Sequence, residues 1–217
     1  MYRIAFLKIS CYIFWLAFFS CSEHAEKKYL PYYNTASFTP IFPSSLKETE
    51  EKILHTISAF SMTDQHGKTI TQKDIEGKIH VANFIFTSCA SICPVMTKHM
   101  KIIEAAFKDK PGVIILSYSV TPWIDSVPRL RKFALTNNIT SPNWHLLTGN
   151  KSEIYTLARQ SYFAEEDLGF TRDSTEFLHT EHVLLIDKTK RIRGIYNGTL
   201  QLEIEQLKKD IDALSVE

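Results

Sequence analysis

Cys89 and Cys93 stand with three residues between them in the run Phe84-Ile85-Phe86-Thr87-Ser88-Cys89-Ala90-Ser91-Ile92-Cys93-Pro94. Pro94 lacks an N–H and has a fixed φ, so it favours the first position of a helix. It also pushes the residue before it out of helical geometry. The run therefore reads as a strand-to-helix junction, with Cys93 at the N-cap and Cys89 in the loop just ahead. The partial positive charge of a helix N-terminus favours thiolate over thiol. Two thiolates side by side at such a junction form either a reducible disulfide or a clamp for a soft ion such as Cu(I) or Zn(II). Two sulfurs are too few for a structural zinc site, which takes four ligands. The best third donor is His182, which opens the apolar run His182-Val183-Leu184-Leu185-Ile186. Two thiolates and one imidazole suit trigonal Cu(I), and tolerate Cu(II) if a fourth, weaker ligand approaches.

Other donors fit less well. His179 would lie on the opposite face of a strand extended back from His182. His99 is six positions beyond Cys93, about 240° around a helix, and points away from it. Met96 shares its spacing with Met100 and Ile103, which marks it as core. Asp125 and the acidic residues at 165–167 read most simply as solvated loop charges.

The elements that must position these residues follow from hydrophobic period and turn chemistry. Residues 58–62 and 69–71 flank Asp64-Gln65-His66-Gly67, a hairpin signal. Strands are expected at 79–86 and 113–120, the latter apolar enough to be buried on both faces. Helical spacing runs over 94–108, 127–137 and 151–161. A short strand is expected at 144–147, an irregular loop over 162–180, a hairpin from 182–187 and 192–196, and a closing helix over 202–214. Alternating strands and helices followed by a hairpin and a helix imply an α/β fold, with a central mixed sheet flanked by helices. A cysteine pair between a central strand and the next helix suits the thioredoxin-like fold.

The N-terminus reads as an address. Arg3 and Lys8 precede the uncharged run Ile9–Ser20, the charged and apolar regions of a signal peptide. The run is shorter than the roughly 20 apolar residues a bilayer span needs. It ends in Phe18-Phe19-Ser20-Cys21, where a small residue before cysteine resembles a bacterial lipoprotein cleavage site and implies lipidation at Cys21. An uncleaved anchor and simple secretion are the alternatives, and all three place the domain outside the cytoplasm. The expected organisation is a signal peptide at 1–20, a tether at 21–54 that gradually docks, and one domain at 55–217. The net charge of +1 becomes −1 once Arg3 and Lys8 are removed with the leader. Nucleic-acid binding thus has no electrostatic support. Of four cysteines, Cys11 and Cys21 fall in the targeting segment. The two left in the domain make a site rather than a disulfide framework.

The pattern FxxTSCxxxCP after an apolar strand, with Glu-His at a strand start about 90 residues later, resembles the Sco (SenC) family of copper proteins. The resemblance covers roughly residues 55–215. It implies a membrane-tethered thioredoxin fold on the periplasmic side of the cell envelope. It implies Cys89, Cys93 and His182 as copper ligands. It also implies delivery to the copper A centre of cytochrome c oxidase or to a similar cuproprotein. One departure stands out. The family often has an aspartate before the proline in the loop after the second core strand, whereas this chain reads Ser119-Val120-Thr121-Pro122, with Asp125 following. Either the negative charge is lost or Asp125 supplies it.

The competing reading is a thiol–disulfide oxidoreductase using Cys89 and Cys93 to reduce partner cysteines. Such enzymes prefer two residues between their cysteines, not three, and have no need of His182. The two roles can coexist. A peroxiredoxin is disfavoured, because Ala82 and Phe86 occupy the places where that family wants a proline and a threonine or serine.

Overall fold

The computed structural model describes residues 29–164 and 180–217. Its frame is a mixed sheet of seven strands in the order β2-β1-β5-β4-β3-β6-β7. The chain first forms a short helix, α1 (Leu46–Lys52), then the hairpin β1 (Ser61–Asp64) and β2 (Thr69–Thr71). Gly67 turns that hairpin at φ 85°, a left-handed conformation glycine adopts without steric cost. One turn of helix, α2 (Gln72–Ile75), leads into β3 (Ile79–Ile85). Then come α3 (Ile92–Phe107), β4 (Val113–Ser119), α4 (Val127–Thr136), β5 (Trp144–Thr148) and α5 (Lys151–Thr156). The last runs on as a π-helical turn over Leu157–Ser161. The chain closes with β6 (His182–Ile186), β7 (Ile192–Asn197) and α6 (Gln201–Ser215).

β3, β4 and β5 are parallel neighbours, and β6 and β1 run antiparallel to them. Every residue of β3 and β4 is buried, as near-continuous apolar runs require when both faces of a sheet are covered. The strand period of two divides them between two cores. Val81, Ile85, Val113 and Ile115 pack under Met96, Met100 and Ile103 of α3, Leu130 of α4, and Ile204, Leu207 and Ile211 of α6. Ala82, Phe84, Leu116 and Tyr118 face the other way, against Ile75 of α2 and Ile154 and Tyr155 of α5. This is the expected thioredoxin-like arrangement, a mixed sheet flanked by helices.

Sequence reading passed over α1, although Ser45 and Glu48 carry a cap signature: the Ser45 hydroxyl accepts the Glu48 N–H. The Tyr162–Ala164 start of the expected irregular loop is anchored, since the Tyr162 and Ala164 side chains are fully buried. The acidic stretch at 165–167 and His179 lie outside the described residues, as do Cys11, Cys21 and the whole leader. Among the described residues no helix is long and apolar enough to cross a membrane.

Residues 29–45 form an arm that packs along the β7 edge. Leu30 is buried. Tyr32 and Ile41 exchange backbone hydrogen bonds of 2.9 Å, and the Tyr33 N–H donates to the Ile192 carbonyl at 3.1 Å. Arg193 fixes the arm from below. Its guanidinium donates to the Pro31 and Leu30 carbonyls at 3.1 and 2.9 Å, and to Asp187 and Glu217 at 3.3 and 2.8 Å. The Tyr32 ring lies 3.9 Å above it. This buried cation is therefore paired on all sides, the condition for its tolerable cost.

Candidate metal centre

The parallel strands β3 and β4 end at one edge of the sheet, so the loops that follow them, 86–91 and 120–126, emerge together. β6 runs antiparallel to β3 with Val183 opposite Asn83. The next step along that register sets His182 beside Phe84, at the same edge and five residues before Cys89. A second set of bonds fixes the start of β6 against α3. The Glu181 carbonyl accepts the Gly198 N–H at 2.7 Å, and His99 Nδ1 donates to the Gly198 carbonyl at 2.9 Å. Position 198 has room for no side chain. An added Cβ would stand 2.8 Å from Val183 Cγ2 and 2.9 Å from Met96 Cε. His99 thus ties helix to strand. Met96 is core.

The cysteine loop corrects one expectation. The residue at the N-cap is Ser91, and the helix begins at Ile92. Cys93 is therefore the second helical residue and Pro94 the third. Proline is tolerated there because no N–H of the first turn has an intrahelical acceptor. The electrostatic consequence is reversed between the two thiols. Partial burial raises the Cys89 pKa, but this is outweighed by the N–H groups of Cys93, Ser91 and Ile92 and by the Cys93 thiol close to its sulfur; the net shift is downward. Burial pushes Cys93 up to about 11, with the neighbouring Cys89 sulfur and the Asp125 charge adding to the rise and a bond from the Phe86 backbone opposing it. The open end of α3 thus favours ionisation of Cys89 over that of Cys93. Both are free thiols in this structure.

A second correction lies beneath the loop. Asp125 is fully buried, not solvated. Its carboxylate accepts from the Thr87 hydroxyl at 2.5 Å, the Ser119 hydroxyl at 2.6 Å, the Thr121 hydroxyl at 3.0 Å and the Thr87 N–H at 3.3 Å. Arg129 approaches it at 3.4 Å, donates to the Thr87 hydroxyl at 2.8 Å, and reaches the Ser88 hydroxyl. Thr121 therefore brings no charge itself but hydrogen-bonds to one. The negative charge of this edge resides on Asp125, and Arg129 carries its influence to the two residues before Cys89. Sequence reasoning missed this hub. Its signal was present in the Asp125–Arg129 spacing of four and in hydroxyl residues at the end of an apolar strand.

The predicted donors are brought to one edge but not into one cluster. Among the described residues, no three His, Cys, Asp or Glu side chains are gathered closely enough to hold a metal ion. Cys89 and Cys93 lie close enough to shift each other's ionisation. The His182 ring instead meets Phe38 of the arm edge-on, with centroids 6.1 Å apart and planes at 82°.

The SCO1/SenC family model matches residues 48–215, a span that includes both cysteines, Asp125 and His182. The chain belongs to the SCO1/SenC family. Solved structures agree with that placement. The crystal structure of a SCO1/SenC family lipoprotein from Bacillus anthracis str. Ames is similar over 74% of this chain and 95% of its own, at 29% identity and a TM-score of 0.64. BsSco, a member of the Sco family of cytochrome c oxidase assembly proteins in which a disulfide switch is described, is similar over 75% of this chain and 95% of its own. Its identity is 28% and its TM-score 0.63. Copper-bound ScoI from Bradyrhizobium japonicum, at 23% identity, shares the fold over 73% of this chain and 99% of its own, with a TM-score of 0.58.

Proposed function

We propose that this SCO1/SenC protein is an extracytoplasmic copper chaperone that takes one copper ion between Cys89, Cys93 and His182. The observation that carries the reading is the β3–β6 register, which brings His182 to the edge where two neighbouring free thiols already lie. Two sulfurs and an imidazole are soft and borderline donors that favour Cu(I). Capture draws the imidazole toward the sulfurs and releases the Cys93 proton, since thiolate is the ligand. The copper A centre of cytochrome c oxidase, or the site of a similar cuproprotein, is the proposed recipient. The assembly role described for BsSco supports this. The apolar run before Cys21 and the lipoprotein character of the Bacillus anthracis relative support a membrane anchor at Cys21, with the domain on the periplasmic side.

A redox role is supported by the same thiols. Cys89 is the thiol whose ionisation the loop favours, Cys93 is its neighbour, and a disulfide between them would remove both sulfur ligands. Loading then requires reduction first, and disulfide exchange with a partner is the second reading of the site.

Metal analysis of the reduced protein, with affinity measured by chelator competition, tests the ligand set. One copper per chain is expected. Cys89→Ser or Cys93→Ser should abolish tight binding, and His182→Ala should weaken it severely. Unchanged affinity in His182→Ala would remove the histidine from the site and leave the redox reading in its place.

A further inference from the structure

We infer that Phe38 is a positioning residue for His182: the N-terminal arm holds the imidazole in its metal-free place and so competes with copper for it. This rests on His182 being a copper ligand. The geometry is specific. The Phe38 and His182 rings stand 6.1 Å apart at 82°, an edge-to-face pair of the kind aromatic quadrupoles favour. Phe38 makes the same kind of contact with Tyr33, at 5.9 Å and 71°, and with Phe163, at 6.2 Å and 78°. Phe163 in turn lies 4.3 Å from the ring of His55. The ring of Phe38 therefore joins the arm to the start of β6 and to the end of the helix that follows β5.

The backbone shows that this placement is enforced. Phe38 has φ 47° and Phe163 φ 49°. For a bulky residue such values are outliers, retained only where the surroundings over-determine them. Here two such residues meet each other, and one of them meets the histidine. The arm supplies the constraint. It is clamped at Leu30 and Pro31 by Arg193, bonded to β7 through Tyr33, and turned so that the Phe38 N–H donates to the Thr35 carbonyl at 3.0 Å.

The sign of the effect follows from where the contact is made. It is present in an arrangement in which His182 is not gathered with the cysteines. A contact that belongs to the metal-free arrangement lowers apparent affinity by the fraction of molecules it holds there. An edge-to-face pair is strong enough to account for a factor of about two to ten.

The test uses the reduced full chain in detergent micelles. Phe38→Ala should shift the His182 ring-proton resonances of the metal-free protein, whereas Phe38→Tyr, which keeps the ring, should leave them in place. Copper competition against a Cu(I) chelator should show Phe38→Ala binding about two- to tenfold tighter than wild type, with Phe38→Tyr unchanged. In a His182→Ala background, Phe38→Ala should have no further effect. If Phe38→Ala does not fold, Phe38→Leu keeps the bulk and carries the same expectation. Unchanged or weaker binding in a folded Phe38→Ala or Phe38→Leu variant overturns the inference. So does an equal gain in the His182→Ala background. If His182→Ala alone leaves copper affinity intact, the ligand assignment falls and the inference falls with it.

Discussion

Replacing Asp125 by alanine removes the acceptor on which three hydroxyls and one backbone N–H converge. Ser119 and Thr121 are almost fully buried, so water cannot take over their hydrogen bonds. Hydrogen bonds to a charged group contribute about 1.5–3 kcal/mol each, and a buried donor left unsatisfied costs about 1–3 kcal/mol. Arg129 is 44% exposed, so its ion pair contributes at most about 1 kcal/mol and its charge can turn to solvent. The sum is dominated by the two buried hydroxyls and the Thr87 bonds, and the expected loss is about 3–5 kcal/mol, as for other broken buried charge clusters. For a chain of this size that corresponds to a fall in Tm of about 6–20 °C. Asp125→Asn keeps an acceptor oxygen and should lose only about 1–3 kcal/mol. Urea unfolding of the reduced metal-free protein, followed by circular dichroism, measures both. A loss under 1 kcal/mol in Asp125→Ala would refute the claim that this carboxylate holds the cysteine loop together.

The two thiols should differ in reactivity. Because Cys89 is shifted down and Cys93 pushed up to about 11, iodoacetamide near neutral pH should label Cys89 first, with Cys93 following only as pH approaches 11; peptide mass spectrometry reads the order, and equal labelling would contradict the assigned hydrogen bonds. His80 predicts an acid limit to stability. Complete burial holds its pKa down to about 3, so the folded state keeps it neutral while the unfolded chain protonates near 6.5. Stability is therefore full above about pH 6.5 and falls by about 1.4 kcal/mol per pH unit toward pH 3. His80→Leu should flatten that slope, and an unchanged slope would assign acid sensitivity to other groups.

The parts of the fold legible in the sequence are those governed by local pattern. The apolar runs of β3 and β4, the hairpin at Gly67 and the helix spacing of α3 and α6 each specify an element without help from distant residues. The place of His182 was legible because it opens an apolar strand, and that of the cysteines at a strand-to-helix junction because their motif is short and contiguous. The hub around Asp125 was not, because its burial depends on donors from three separate segments: Thr87, the Ser119–Thr121 pair and Arg129. Nor was the unequal state of the thiols. Proline suits any early position of a helix, so Pro94 does not say whether Cys93 lies before the first turn or within it. A shift of two residues exchanges which sulfur receives the N–H groups. Phe38 gave no signal at all, since its contact with His182 spans the length of the domain sequence.

Arg193 also determines where the domain can be pulled. β7 begins opposite the end of β6, so Arg193 lies at the sheet end remote from His182 and the cysteine loop. A force exerted through the chain ahead of Tyr29 meets the guanidinium bonds at Leu30 and Pro31 before it reaches Tyr33 or Phe38. From there the load divides between the β7 edge, Asp187 in the hairpin turn and Glu217 at the far end of α6. The staple thus works as a strain relief, so that a pull on the chain ahead of Tyr29 is taken up at one pole of the sheet while the pole that carries His182 and the cysteine loop is spared.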